Sequence, residues 1–145
     1  MRILFLGDVV GISGSSKIKE NLLNQVKINK IDFVIVNAEN ADETGVGLTK
    51  EICEDFFKCG VDVITTGNHV WDQKDIMSFI DKENRLLRHK NLFEPAPGKG
   101  FEIYNIKNIK IGVLNLMGNV FMKKCEDVLK KEKKFMGNYK LKEDY

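Results

Sequence analysis

Histidine is scarce in this sequence. Only His69 and His89 occur in 145 residues, which excludes a site built from several imidazoles within this stretch. Proline is equally scarce, with Pro95 and Pro97 only, so no proline-rich linker divides the chain and residues 1–145 read as one domain. The three cysteines, Cys53, Cys59 and Cys125, are an odd number without zinc-ribbon spacing. They read as reduced packing residues of a cytoplasmic protein rather than a disulfide framework. No apolar run is long enough to cross a membrane, and the opening "MRILFLGDVV" is cut by Asp8, so neither a signal peptide nor a membrane anchor is read there. The formal net charge of +2 is too small for a nucleic-acid or acidic-membrane footprint.

What is present is an ordered alternation of elements. "RILFLGDVV" is a nearly continuous apolar run, as in a strand covered on both faces. A helix follows over "KIKENLLNQVKINK", with Ser15 or Ser16 as its cap and Ile18, Leu22, Leu23 and Val26 on one stripe. "IDFVIVNAEN" is a second strand, "ADETGVG" a turn, and "LTKEICEDFFKCG" a helix between an N-capping Thr49 and a C-terminal Gly60. "VDVITTGNHVW" is a third strand with its exit loop, and a short helix is expected over Asp75–Lys82. This βαβαβ order predicts an α/β fold with a parallel sheet and right-handed crossovers. After the loop "NLFEPAPGKG", "FEIYNIKNIKIGVLNLMG" reads as a β-hairpin around a tight "KN" turn. The last stretch, "KKCEDVLKKEKKFMGNYKLKEDY", is expected to begin as a helix with a solvated basic face.

The three strand ends hold the chemistry. Ligands of parallel α/β sheets gather at the carboxyl ends of the strands. Here the first strand delivers Gly7 and Asp8, the second Asn37, Glu39 and Asn40, and the third Gly67, Asn68 and His69. Singly, each has an ordinary structural use: Asp8 in a turn, Glu39 on a surface, His69 as a hydrogen-bonded structural residue. Together they bring carboxylates, amides and an imidazole to one edge, and carboxylates gathered at one edge repel unless a cation neutralises them. This donor set suits Mn, Fe or Zn ions. The first loop, "GDVVGISGSSK", fits neither the dinucleotide glycine pattern nor the phosphate loop. A flavodoxin-like nucleotide-binding domain would account for the βαβ order but not for Glu39, Asn40, Asn68 and His69 together.

"GDVVG", "NAENA", "GVGLT" and "DVITTGNHVWD", followed by "RLLR", "PGKG" and "VLNLMGNVFM", resemble in order the YmdB-like metallophosphoesterases, a branch of the calcineurin-like phosphoesterase superfamily. The resemblance implies a four-layer α/β/β/α sandwich with a dinuclear metal centre. It also implies a phosphodiesterase acting on 2′,3′-cyclic nucleotides. By motif match, the resemblance implies that Asp8 binds the first ion, Glu39 bridges or sits between both, Asn40 and Asn68 bind the second, and His69 acts as proton donor or stabilises the transition state. The ions expected are two divalent or mixed-valence metals, Fe or Mn first and Zn next.

Family members are longer, and their second half carries further metal-binding histidines. Such residues have no counterpart here, and His89, in "RLLRHKN", reads as a surface residue. The expectation is therefore an incomplete sandwich: a βαβαβ first half plus a hairpin, truncated at its carboxyl end. Its partners would be a small phosphodiester or cyclic nucleotide, and either a complementing carboxyl-terminal segment or a second copy meeting an exposed sheet edge. The competing reading is a catalytically inactive remnant, or a binding module that keeps the nucleotide-facing edge.

Overall fold

Four parallel strands form the frame of the computed structural model, which describes residues 1–122 and 125–143. Strands β1 (Ile3–Leu6), β2 (Phe33–Asn37), β3 (Val63–Thr65) and β4 (Leu86–Leu87) lie side by side in that order. Ile3 pairs with Phe33, Ile35 with Val63, and Ile64 with Leu86. Helices α1 (Gly11–Asn29) and α2 (Lys50–Lys58) make the first two crossovers. Because the strand order never reverses, right-handed crossovers put both helices on one face. The third connection is a short 3-10 helix, Lys74–Ser78, in place of the helix expected over Asp75–Lys82. At two residues, β4 is too short for any periodicity to announce it.

Local chemistry explains the element ends. Thr49 caps α2 as expected, its Oγ1 accepting from Ile52 N at 3.3 Å. Gly60 takes the positive φ of +96° that ends the helix. Helix α1 departs from expectation. It starts at Gly11 behind Val10, with no side-chain cap, and Ser15 lies inside it. There the Ser15 hydroxyl donates to Ala41 O at 2.9 Å, so the side chain serves a tertiary contact from inside the helix rather than a cap at its end. Of the expected stripe, Ile18 and Leu22 are buried and Val26 packs beside them, but Leu23 is exposed.

Two apolar layers hold the sheet. On the helix face, Val34, Val36, Ile64 and Leu86 meet Ile18 and Leu22 of α1 and Cys53 and Phe56 of α2. Each fully buried large side chain contributes about 1.5–3 kcal/mol. On the opposite face, Phe33, Ile35, Val63 and Leu87 pack under a hairpin of β5 (Phe101–Ile106) and β6 (Ile109–Leu114). Lys107 and Asn108 turn that hairpin with φ of 51° and 64°, the paired positive values a two-residue turn demands. Helix α3 (Val128–Glu143) sets the Phe135 ring edge-on against Phe101, 4.6 Å between centroids. It starts later than expected because Asp127 caps it, its Oδ1 accepting from Lys130 N at 2.8 Å. Lys123, Lys124, Asp144 and Tyr145, part of the stretch expected to be helical, lie outside the described residues.

Strand β1 is not covered on both faces as its apolar run suggested. Leu4 and Leu6 pack toward the helices, while Ile3 and Phe5 on the other face are 50% and 61% exposed. The reason is position: β1 is the edge of the sheet, and the hairpin reaches only β2, β3 and β4. Among the described residues, no helix is long and apolar enough to cross a membrane.

Candidate metal and phosphoester site

The exits of β1, β2 and β3 meet at one end of the sheet. The chain leaving β1 stays beside the chain leaving β2: Val9 N donates to Asn37 O at 3.1 Å, and Gly11 N to Asn40 O at 2.8 Å. Ala38 N donates to Thr65 O at 3.0 Å and carries the β2 exit along β3. These backbone bonds, set by the strand register, hold the three exits side by side, with Asp8 against Asn40 and Glu39 against the His69 backbone.

Asp8 is exposed and accepts from Asn40 Nδ2 at 2.7 Å. A carboxylate only accepts, so the atom facing it is the amide nitrogen, and the Asn40 oxygen points elsewhere. That oxygen, like Asn37 Oδ1, is buried with no hydrogen-bond partner. Glu39 runs beneath the β3 exit. Its Oε2 accepts from His69 N at 3.4 Å, and a Cβ at position 67 would come within 2.7 Å of its carboxyl carbon. Only glycine leaves room for that carboxylate. Asn68 and His69 are both half-buried in the turn that follows Gly67. Among the described residues, no three His, Cys, Asp or Glu side chains converge closely enough to hold a metal ion. The donors that do gather are carboxylates mixed with amides. This set is chemically suited to a hard cation, and the orphaned amide oxygens are the atoms such an ion would satisfy.

Asp72 belongs with this group, although the sequence pattern assigned it no role. Its Oδ2 lies 2.6 Å from His69 Nδ1, and both side chains are about one-third exposed. With Nδ1 engaged by that carboxylate, Nε2 is the ring nitrogen left for another partner. The signal was present as a His-x-x-Asp spacing, which a turn closes by bringing residues three apart face to face.

His89 corrects an expectation. It is not on the surface but 2% exposed at the exit of β4. The Leu86–His89 run is buried throughout, with Ile76 and Ile80 on one side and the hairpin on the other. Neither imidazole nitrogen meets a partner at hydrogen-bond geometry. Burial first and the neighbouring Arg88 guanidinium second push its pKa down, opposed by the Gly67 backbone. Burial and the Arg88 charge thus both favour the neutral form of His89.

Comparison with known proteins places the chain in a family. The profile of the YmdB-like proteins matches residues 4–145. The chain is 42% identical over 127 residues to the 2′,3′-cyclic-nucleotide 2′-phosphodiesterase of Bacillus subtilis (strain 168), a span covering 88% of this chain and 48% of that protein. Its fold superposes on a hypothetical protein from Thermus thermophilus with a TM-score of 0.88 at 30% identity, covering 94% of this chain and 53% of the other. A novel phosphatase from Mycoplasma pneumoniae gives 0.86 at 34% identity, covering 94% and 50%. The chain thus spans about half the length of these relatives. With the family profile matched from Leu4 to the last residue, the chain belongs to the YmdB-like family.

Proposed function

We propose that this chain carries one half of a cytoplasmic, metal-dependent phosphodiesterase that opens 2′,3′-cyclic nucleotides. The observation that carries the proposal is the buried, partnerless amide oxygens of Asn37 and Asn40, on the β2 exit whose Asn40 nitrogen also donates to the Asp8 carboxylate. Similarity to the Bacillus subtilis enzyme supplies the substrate class. Asp8 would hold one ion, Glu39 both, and Asn40 and Asn68 the other, with Fe or Mn favoured over Zn by the oxygen-rich donor set. Two bound cations would neutralise the phosphodiester charge and acidify an attacking water.

The chain's own residues account for the proton. Asp72 accepts from His69 Nδ1, fixes the ring orientation and stabilises an imidazolium. His69 Nε2 then gives its proton to the departing 2′ oxygen. Water adds to phosphorus, the P–O2′ bond breaks, and the product is a 3′-phosphate with a free 2′-hydroxyl.

Four donors make roughly half of a two-ion shell. A complementing carboxyl-terminal segment would supply the rest, in keeping with the length of the relatives. The same reading takes residues 1–145 as part of one four-layer α/β/β/α domain. The succession of helices, parallel sheet, hairpin and α3 supports it.

The test is Mn²⁺ titration together with hydrolysis of 2′,3′-cyclic AMP, on the chain alone and with a complementing segment. Asp8→Asn should abolish Mn²⁺ uptake. His69→Ala should keep uptake but lower turnover at least about 100-fold. Unchanged turnover in both variants removes the site assignment. The lack of three converging His, Cys, Asp or Glu side chains among the described residues favours a second reading, a non-catalytic nucleotide-binding module. Cyclic nucleotide binding without metal-dependent turnover under either condition would select it.

A further inference from the structure

Gln73 follows Asp72, the residue beside His69, and its side chain turns back across the site's outer wall. Gln73 Nε2 donates to Asp42 Oδ1 and to Val46 O, each at 3.0 Å, which uses both amide hydrogens; Thr44 Oγ1 stands farther off at 3.4 Å. Asp42 is buried, and the same oxygen accepts from Thr44 N at 3.0 Å and Thr44 Oγ1 at 2.7 Å. All these partners lie in the loop that follows Asn40. The contact extends to the backbone. A Cβ at Gly47, where φ is +83°, would come within 2.6 Å of Gln73 Cγ and 3.0 Å of Gln73 N. Gly47 N in turn donates to Glu39 O at 2.6 Å.

A continuous path therefore runs from His69 through Asp72 and Gln73 to Gly47 and Glu39. The β2–β3 ladder ends at Asn37 and Thr65, with one further backbone bond from Ala38. Beyond it, the two exit loops meet in the long 3.4 Å bond from His69 N to Glu39 and in the contacts of Gln73. A second tie is needed to fix their spacing, and an uncharged amide provides one without placing another charge beside the carboxylates.

We infer that Gln73 is a positioning residue that sets the distance between the Glu39–Asn40 pair and His69. The inference rests on the phosphodiesterase reading for its purpose, but the clamp itself is readable without metal or substrate. Two variants test it. Gln73→Met keeps the length and removes the donors. Gln73→Lys keeps a donor for Asp42 and Val46 O. Hydrogen exchange of the Gly47 and His69 amides is measured in the metal-free protein, and Mn²⁺ affinity by titration.

Gln73→Met should speed exchange at both amides at least about tenfold and weaken Mn²⁺ binding about 10–100-fold, as loss of outer contacts to metal ligands does. Gln73→Lys should restore the slow exchange at both amides, which is the readout for this variant because its added charge itself opposes a cation. Faster exchange at Gly47 alone, with His69 within about twofold of wild type, overturns the inference, as does failure of Lys to restore. If the wild-type chain takes up no Mn²⁺, the metal reading fails, and the exchange comparison alone decides the clamp.

Discussion

Strands β1 and β2 are nearly alike in sequence, "ILFL" against "FVIV", and they sit in register beside each other. Their surroundings differ. In β2, every residue from Phe33 to Val36 is buried, while the outer face of β1 leaves Ile3 and Phe5 half exposed or more. Beside β1, a groove of about 780 Å³ runs along α1, lined in part by Leu4, Leu6, Ile18 and Leu22. The difference lies in cover, because the hairpin's apolar side chains reach β2, β3 and β4 and none of β1. The candidate site straddles this boundary. Asp8 comes from the open edge, Glu39 and Asn40 from the covered centre, and the 2.7 Å Asn40–Asp8 bond joins them. Apolar strand sequence thus marks where burial is wanted, and the neighbours decide whether it happens.

Truncating one aromatic in each strand breaks the comparison most sharply. Phe33 is 1% exposed and lies 5.6 Å from the Tyr104 ring across the sheet–hairpin interface. Phe33→Ala should lower unfolding free energy by about 3–5 kcal/mol, the range for an aromatic deleted from a packed core. Phe5→Ala, at 61% exposure, should change it by about 0.5 kcal/mol or less. Urea unfolding of both variants checks this, and equal losses would mean that β1 is covered in solution.

A charge placed on the edge sharpens the same contrast. Apolar side chains on an unpaired edge strand invite a second copy. If the β1 edge pairs with a second copy, Ile3→Lys should weaken that self-association at least tenfold, or about 1.4 kcal/mol, with little loss of monomer stability. Sedimentation velocity over a range of concentrations reads it. Association unchanged by the lysine would move the contact away from β1.

The same contrast explains what could be read from the sequence. The βαβαβ order, the Thr49 cap and the "KN" hairpin turn are local, and local chemistry carried them into the structure. Parallel strands also deliver their carboxyl ends to one side, so Asp8, Glu39, Asn40, Asn68 and His69 follow β1, β2 and β3 at the same end of the sheet. Cover is not local. Nothing in "RLLRHKN" announces that flanking segments close over His89, and nothing in "ILFL" announces that no hairpin reaches it. The start of α1 is not legible either, because Ser15 gives its hydroxyl to Ala41, a partner distant in sequence. Asp72 and Gln73 carry no role in the sequence pattern, because their partners lie in turns and a neighbouring loop rather than in a repeating array.

The smallest effect belongs to a strap on the covered side. Arg88 is buried, its guanidinium donating to His89 O at 3.0 Å, to Pro97 O and Ala96 O at 3.2 Å each, and to Glu94 Oε1 at 2.8 Å. It ties the end of β4 to the loop before the hairpin. The Arg88 hydrogen bond is the main cause holding the Glu94 carboxyl below its ordinary value of 4.5, helped by Ala96 N and opposed by burial. A carboxylate with a lowered folded pKa stabilises fully above its unfolded pKa and loses that contribution as pH falls through the folded value. The loss should therefore come below about pH 4.5. Glu94 is half exposed, so screening limits the contribution to about 1 kcal/mol or less. Glu94→Gln keeps an acceptor for Arg88 and removes the charge. It should cost that amount at pH 7 and flatten the acid limb of stability against pH, and 1 M salt should shrink the difference. Unfolding curves at pH 7 and pH 3.5 test the sign. A variant that loses more at pH 3.5 than at pH 7 would show that Glu94 acts there through its shape rather than its charge.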